Sequence, residues 1–334
     1  MFTNHRLWKT AGRCFVAAGL LLVCLTVTQA QNSRENSAAS YFTRGHEWQI
    51  KGELDRAIAD YNIALTFEPS FTPAYFLRGA ARLAKGDLEG AIADFDRALE
   101  FAPRSAETYS NRGIARLKRG EIEAALSDFD RALEINPRFA QAYYNRGYAR
   151  LEQSDYRAAV ADFDRAIEID KKYGAAYNNR GYARSRMGDY ENAISDFSHA
   201  IKLNPQPASA YTNRGNLRYA RGDFDGAIVD HTRAIESNPH LSESFNNRAN
   251  ARYAKSDFER AIPDYNQALA LNPHHAQIYA NRGMAWLRLG QENNAATDFA
   301  QCLALRPELQ PSLEQRIGQA RSQKSDQNHK PKQP

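Results

Sequence analysis

Residues 72–105 read TPAYFLRGAARLAKGDLEGAIADFDRALEFAPRS, and this stretch decides the fold. In its second half Leu88, Ala91, Ile92, Phe95, Ala98 and Leu99 fall at i, i+3, i+4, i+7, i+10 and i+11, which is one face of an α-helix. In its first half Tyr75 and Gly79 stand one turn apart. The missing side chain at Gly79 lets a second helix approach closely, at some cost in helix propensity. Between the halves, Gly86-Asp87 spells a helix end followed by a helix start. The stretch is therefore a helical hairpin.

Working outward, proline recurs at Pro69, Pro103, Pro137, Pro205, Pro239, Pro273 and Pro307, always at multiples of 34 residues, with Lys171 in the missing slot. A fixed period of this size means stacked supersecondary units. Counted from Ala38, eight copies follow without insertion: 38–71, 72–105, 106–139, 140–173, 174–207, 208–241, 242–275 and 276–309. The fourth place is always aromatic (Tyr41, Tyr75, Tyr109, Tyr143, Tyr177, Tyr211, Phe245, Tyr279). The eighth is always small (Gly45, Gly79, Gly113, Gly147, Gly181, Gly215, Ala249, Gly283).

An aromatic, Gly, Ala, aromatic, Ala and Pro at the fourth, eighth, twentieth, twenty-fourth, twenty-seventh and thirty-second places resemble the tetratricopeptide repeat. The resemblance implies an all-α, right-handed superhelical solenoid of eight helix-turn-helix units, first helices lining a concave groove and second helices outside. Such folds bind peptides or partner domains. Departures are local: Lys171 for proline, Ala249 for glycine, His231 for the second aromatic and Cys302 for alanine. Pro263 lies inside a second helix and removes the amide that would bond the Glu259 carbonyl, so a kink is expected there.

Every unit carries Arg at its seventh place, from Arg44 to Arg282, and the six inner units add Arg82, Arg116, Arg150, Arg184, Arg218 and Arg252 at the eleventh. Each second helix offers an Asp at the twenty-third place, from Asp60 to Asp298. An anion-binding ladder is one reading. Matched number and period beside the packing positions favour a structural Arg-Asp network between helices. The eleventh place becomes Trp48 and Trp286 in the end units, which lack one neighbour and need a different cover.

The sixth place is Asn in the last six units: Asn111, Asn145, Asn179, Asn213, Asn247 and Asn281. An amide both donates and accepts, so such a ladder suits the backbone of an extended peptide. It resembles the asparagine ladder of O-linked N-acetylglucosamine transferases. The competing reading has each amide satisfying its own repeat. Neighbouring places carry Tyr144, Tyr148, Asn178, Tyr182, Asn216, Tyr219, Asn246, Asn250 and Tyr253, a mixture suited to adaptable contacts. Units four to seven are thus the expected partner-binding site. The lysine clamp of chaperone-binding relatives is absent, the fifth places reading Phe76, Ser110, Tyr144, Asn178, Thr212, Asn246 and Ala280.

Residues 1–13 hold Arg6, Lys9 and Arg13 and no acid, and the uncharged Cys14–Val27 precedes Thr28-Gln29-Ala30. This reads as a secretory signal peptide over 1–30, cleaved after Ala30 and followed by a linker over 31–37, for a destination in the periplasm or outside the cell. The apolar segment falls short of the ~20 residues that span a bilayer, which argues against stable membrane insertion after cleavage. Acylation at Cys24 is the alternative, but Leu22-Val23 puts a branched residue where a small one belongs. The leader takes Cys14 and Cys24 with it, so Cys302 has no intrachain disulfide partner. It also takes three charges from the net +5, leaving too little for nucleic-acid binding.

There is no phosphate-binding glycine loop, no His-Glu-x-x-His pair and no zinc-type cysteine spacing, so neither enzyme, metal nor cofactor is expected. His240, His274 and His275 read as solvated turn residues. Residues 310–321 form a capping helix with Leu313, Ile317 and Ala320 on one side, and 322–334 a disordered tail. The whole reads as a scaffold or adaptor for a protein or peptide ligand. The alternatives are an accessory subunit of an envelope-assembly or polysaccharide-secretion machine, or a regulatory subunit of a separate enzyme. Homo-oligomer formation stays open.

Overall fold

The structure, a computed structural model, describes residues 37–204 and 208–328; the leader and most of the linker fall outside these. The described residues form α-helices and one 3-10 turn, with no strand. First and second helices alternate: α1 Ala38–Ile50, α2 Leu54–Phe67, α3 Thr72–Lys85, α4 Leu88–Phe101, α5 Ala106–Lys118, α6 Ile122–Ile135, α7 Ala140–Glu152 and α8 Tyr156–Ile169. They continue as α9 Gly174–Arg186, α10 Tyr190–Leu203, α11 Ala208–Ala220, α12 Phe224–Ser237, α13 Ser242–Ala254, α14 Phe258–Leu271, α15 Ala276–Arg288 and α16 Glu292–Leu305. The turn Pro307–Leu309 then leads into α17, Gln310–Asn328. The helices group into two compact units, divided within α7 between Ala149 and Arg150.

Each hairpin closes through the signals its sequence carries. Gly86 ends α3 at φ 86°, in the left-handed region that glycine enters freely. Ser154 and Ser256 take the same role at φ 62° and 63°, where a side chain is strained. Asp87 then caps α4 by accepting from the Gly90 amide at 3.0 Å, and Asp155, Asp223 and Asp257 cap α8, α12 and α14 likewise. Asp189 does not, because the Asn192 side chain donates to both its oxygens, at 3.0 and 2.9 Å.

In the first unit the pairs α1/α2, α3/α4 and α5/α6 pack together, and α3 and α5 also pack against the preceding pair. The eighth-place glycine explains the intimacy of each pair, since a Cβ on Gly79 would lie 2.8 Å from Phe95 Cε1. Core clusters then form between repeats, such as Ala106, Ala132, Leu133 and Ala142 under Tyr109 and Tyr143. Burying one such leucine side chain contributes roughly 1.5–3 kcal/mol.

The second unit repeats this construction through α16, with α14 running across Pro263 as one helix. Its end is closed by α17: Leu313 is buried among Ala276, Ala280 and Cys302, and Ala320 packs with Met284 and Leu287. The capping helix is longer than expected, reaching Asn328 rather than Arg321. Residues 322–328 contain neither glycine nor proline, so nothing local stops the helix where the sequence reading placed a disordered tail. Residues 329–334 of that tail lie outside the described residues.

Candidate peptide-binding face

The seventh- and eleventh-place arginines converge on the buried aspartates. Arg180 donates through Nε and Nη2 to Asp196 at 3.0 and 2.6 Å, and Arg184 adds a bond to Asp196 Oδ2 at 2.7 Å. The same triplet forms around Asp94 and Asp128 in the first unit, and around Asp230 and Asp264 in the second. With both carboxylate oxygens occupied, this is structural cement and not an anion ladder. The seventh-place Arg also reaches back one repeat: Arg112 Nη1 to Asp96, Arg180 Nη1 to Asp164 (both 2.6 Å) and Arg214 Nη1 to Ser198 (2.8 Å). Sequence reasoning missed this twenty-fifth place because its residue type varies while its acceptor role does not.

Trp48 sits between Lys51 and Arg56, whose cationic groups lie 4.9 and 4.8 Å from its ring, and Trp286 packs under α17 beside Met284 and Ala320. Trp286 also packs against the core of the seventh repeat, around Ile262 and Tyr265.

Four of the sixth-place asparagines, Asn145, Asn213, Asn247 and Asn281, bind the preceding repeat. In the second unit Asn213 Nδ2 donates to Asn178 Oδ1 at 3.4 Å, Asn247 Nδ2 to Asn216 Oδ1 at 2.9 Å and Asn281 Nδ2 to Asn250 Oδ1 at 3.1 Å. Asn178 and Asn246 each donate to the next residue's amide oxygen, on Asn179 and Asn247. In the first unit Asn145 is buried and donates to Ser110 Oγ at 3.5 Å, while Asn111 is half-buried. Neither sequence reading named this link, which joins one first helix to the previous one.

Three of the tyrosines are the exposed members of the set. Tyr182 and Tyr219 in the second unit are 37% and 39% exposed, and Tyr148 in the first unit is 42% exposed. Tyr144 and Tyr253 are half-buried, Tyr253 lying edge-on to Phe258. Arg186 holds Tyr182 upright by donating to its hydroxyl at 3.0 Å, with its guanidinium over the Tyr156 ring.

Two cavities open in the second unit. One, of about 210 Å³, is lined by Tyr219, Asn250, Tyr253, Tyr265, Asn281 and Arg316, with Met284 beside them. The other, of about 400 Å³, is lined by Ser209, Thr212, Asn213, Asn238, Glu243 and Ser244 among others. Tyr265 and Arg316 were not anticipated: Tyr265 occupies a core place, yet its buried hydroxyl donates to Asn250 Oδ1 at 2.8 Å. Burial pushes the Tyr265 hydroxyl well above its ordinary range, so it stays a donor. Among the described residues no cluster of His, Cys, Asp and Glu is placed to hold a metal, and no helix is long and apolar enough to cross a membrane.

Tetratricopeptide repeat family models match residues 79–120, 111–173, 174–207, 242–275 and 276–309. The chain belongs to the tetratricopeptide repeat family. Solved structures agree on the fold. A tetratricopeptide repeat protein from Parabacteroides merdae is 22% identical, with a TM-score of 0.57 over 74% of this chain and 98% of its own. Pseudomonas aeruginosa pilF is also 22% identical, with a TM-score of 0.56 over 60% of this chain and 92% of its own. The APC/C hetero-tetramer Cut9-Hcn1 contains a chain with a TM-score of 0.58 and 17% identity, covering 87% of this chain and 57% of that one. Among curated protein sequences none matches. Tetratricopeptide repeats act as protein-interaction scaffolds, and the repeats here give this chain that general character.

Proposed function

We propose that the chain is an exported scaffold that holds an extended peptide or partner segment along the first helices of its second unit. The observation that carries this is the division of labour on those helices: the sixth-place amides join successive repeats, while Tyr182 and Tyr219 stand exposed from the same helices. Tyrosine supplies large contact area at small entropic cost, which suits it to hold a peptide against a face the amides keep in register. Export is supported by the basic, apolar and small-residue order of residues 1–30.

The binding test compares wild type with Tyr182→Ala plus Tyr219→Ala in pull-downs from an envelope extract, with thermal melts alongside. Both side chains are more than a third exposed and neither belongs to a core cluster, so the melt should fall by only a few degrees while captured protein falls away. Equal capture by the two proteins would remove this face from the mechanism. Export is tested with a C-terminal tag, by cell fractionation and N-terminal sequencing. A mature chain starting at Gln31 outside the cytoplasm is expected, and full-length protein in the cytoplasm would refute it.

A further inference from the structure

The hairpin-turn edge of the repeats carries ion pairs from one repeat to the next. The cation at the fourteenth place meets the acid at the eighteenth place of the repeat before: Lys85 with Asp55 in the first unit, and Arg221 with Glu191 at 3.3 Å and Lys255 with Asp225 in the second. Six of the eight second helices carry an acid at that eighteenth place, from Asp55 to Glu259. α8 carries Arg157 there, and the fourteenth place that faces it in register is Met187. In this rung the acid has become a cation and the cation an apolar side chain.

The exchange leaves two cations without an anion. Arg157 is exposed on the first turn of α8, where a positive charge opposes the helix dipole and so does not serve its own helix. Arg186, beside Met187, is exposed as well. Its guanidinium lies 4.9 Å from the centre of the Tyr156 ring and donates to the Tyr182 hydroxyl at 3.0 Å, which fixes its place without supplying an anion. Neither arginine makes an ion pair among the described residues. The acids closest in sequence are engaged: Asp155 accepts from the Ala158 amide at 3.1 Å, and Asp189 from the Asn192 side chain. Next to these cations the apolar surface is open, Met187 being 48% and Tyr190 47% exposed. Tyr156 has Arg186 over its ring, but the same place one repeat later is Ala220, too short to cover Tyr190.

We propose that this edge is a second docking surface, separate from the first-helix face, for an acidic amphipathic segment of a partner protein. The segment's carboxylates meet Arg157 and Arg186, and its apolar side chains cover Met187 and Tyr190. Charge complementarity selects this occupant: at the neighbouring rungs the chain supplies the anion itself, and at this rung the anion comes from outside. Two exposed arginines alone would hold a carboxylate weakly in water. Apolar contact beside them excludes water and gives the arginine–carboxylate bonds their strength. The surface does not depend on the peptide-binding reading above.

The test rebuilds the missing rung. Arg157→Asp plus Met187→Lys reproduces the Asp225–Lys255 pair and should melt within a few degrees of wild type, since both places are exposed. Random dodecapeptides displayed on phage are selected on the full chain lacking only its leader, then depleted on the rebuilt variant. Survivors should be rich in Asp and Glu next to Leu, Met or aromatic residues. Measured by fluorescence anisotropy, they should bind the rebuilt variant and Arg157→Glu at least about tenfold more weakly, keep their affinity for Tyr219→Ala, and weaken as salt is added. Arg157→Glu should in turn select peptides bearing Lys and Arg, a reversal that damage to the fold does not produce. No survivors, survivors without an acidic excess, or an equal loss in Tyr219→Ala overturns the surface. So does a change of oligomeric state between wild type and the rebuilt variant in analytical ultracentrifugation without acidic survivors, which assigns the edge to a second copy. Binding to phosphatidylglycerol vesicles that is lost in the rebuilt variant, again without acidic survivors, assigns it to lipid and overturns the proposal equally.

Discussion

Asn247 donates its side-chain amide to Asn216 Oδ1 at 2.9 Å, tying the first helix of the seventh repeat to that of the sixth. The bond lies on the proposed binding face yet serves the stack. Asn247→Ala should therefore cost about 1 kcal/mol in urea unfolding, and a double-mutant cycle with Asn216→Ala should show a coupling of about 0.5–1.5 kcal/mol. A coupling indistinguishable from zero would mean that the amides do not hold the repeats together.

His231 occupies the place that Phe95, Phe129 and Phe197 fill elsewhere; it is fully buried, and neither ring nitrogen has a hydrogen-bond partner. Burial pushes its pKa down to about 4, Asp230 opposing and Arg248 reinforcing the fall. Between its ordinary value near 6.5 and that value, the unfolded chain takes a proton that the folded chain refuses. Stability is thus intact above about pH 6.5 and declines as pH falls through this window, by about 3 kcal/mol at pH 4. His231→Phe should be more stable than wild type already at pH 7, and its advantage should widen steadily toward pH 4. An advantage that does not change with pH would refute the assignment.

The repeat, its turns and the Arg-Asp pairing could be read from the sequence because each is an identity repeated at a fixed interval, as with Gly79 beneath Phe95 or Arg180 beside Asp196. What escaped is defined by role and not by residue type. The partner of the seventh-place Arg is Asn62, Asp96, Asp130, Asp164, Ser198, Thr232 or Asn266, a set united only in accepting a hydrogen bond. The Asn247–Asn216 link joins different places of adjacent repeats, so counting within one repeat does not find it. Arg316 belongs to no repeat, and its helix was legible only through Leu313, Ile317 and Ala320.

Ser256 ends α13 in the left-handed region at φ 63°, where Gly222 ends α11 at φ 80°. A side chain there costs roughly 1–2 kcal/mol, and glycine's greater freedom in the unfolded chain returns about half of that. Ser256→Gly should raise the urea midpoint by an amount equivalent to about 0.5 kcal/mol, and Gly222→Ser should lower it by a similar amount. Movement of both in the same direction would show that turn conformation is not what selects these residues.

Asp196 is 2% exposed and receives three arginine bonds within its repeat, two from Arg180 and one from Arg184. A buried pair of this kind need not add net stability over an apolar core, because desolvating the charges offsets their attraction. Removing one member is another matter, since Asp196→Ala leaves two partly buried guanidinium groups facing each other, and a loss of about 3–5 kcal/mol is expected. Arg165 and Glu168 also form an ion pair, on α8, but both side chains are about half exposed, and Glu168→Ala should cost well under 1 kcal/mol. Chemical denaturation of the two variants reads the contrast directly. Equal costs would mean that burial does not set the value of these ion pairs, and that the aspartate ladder is no more structural than the charges on the surface.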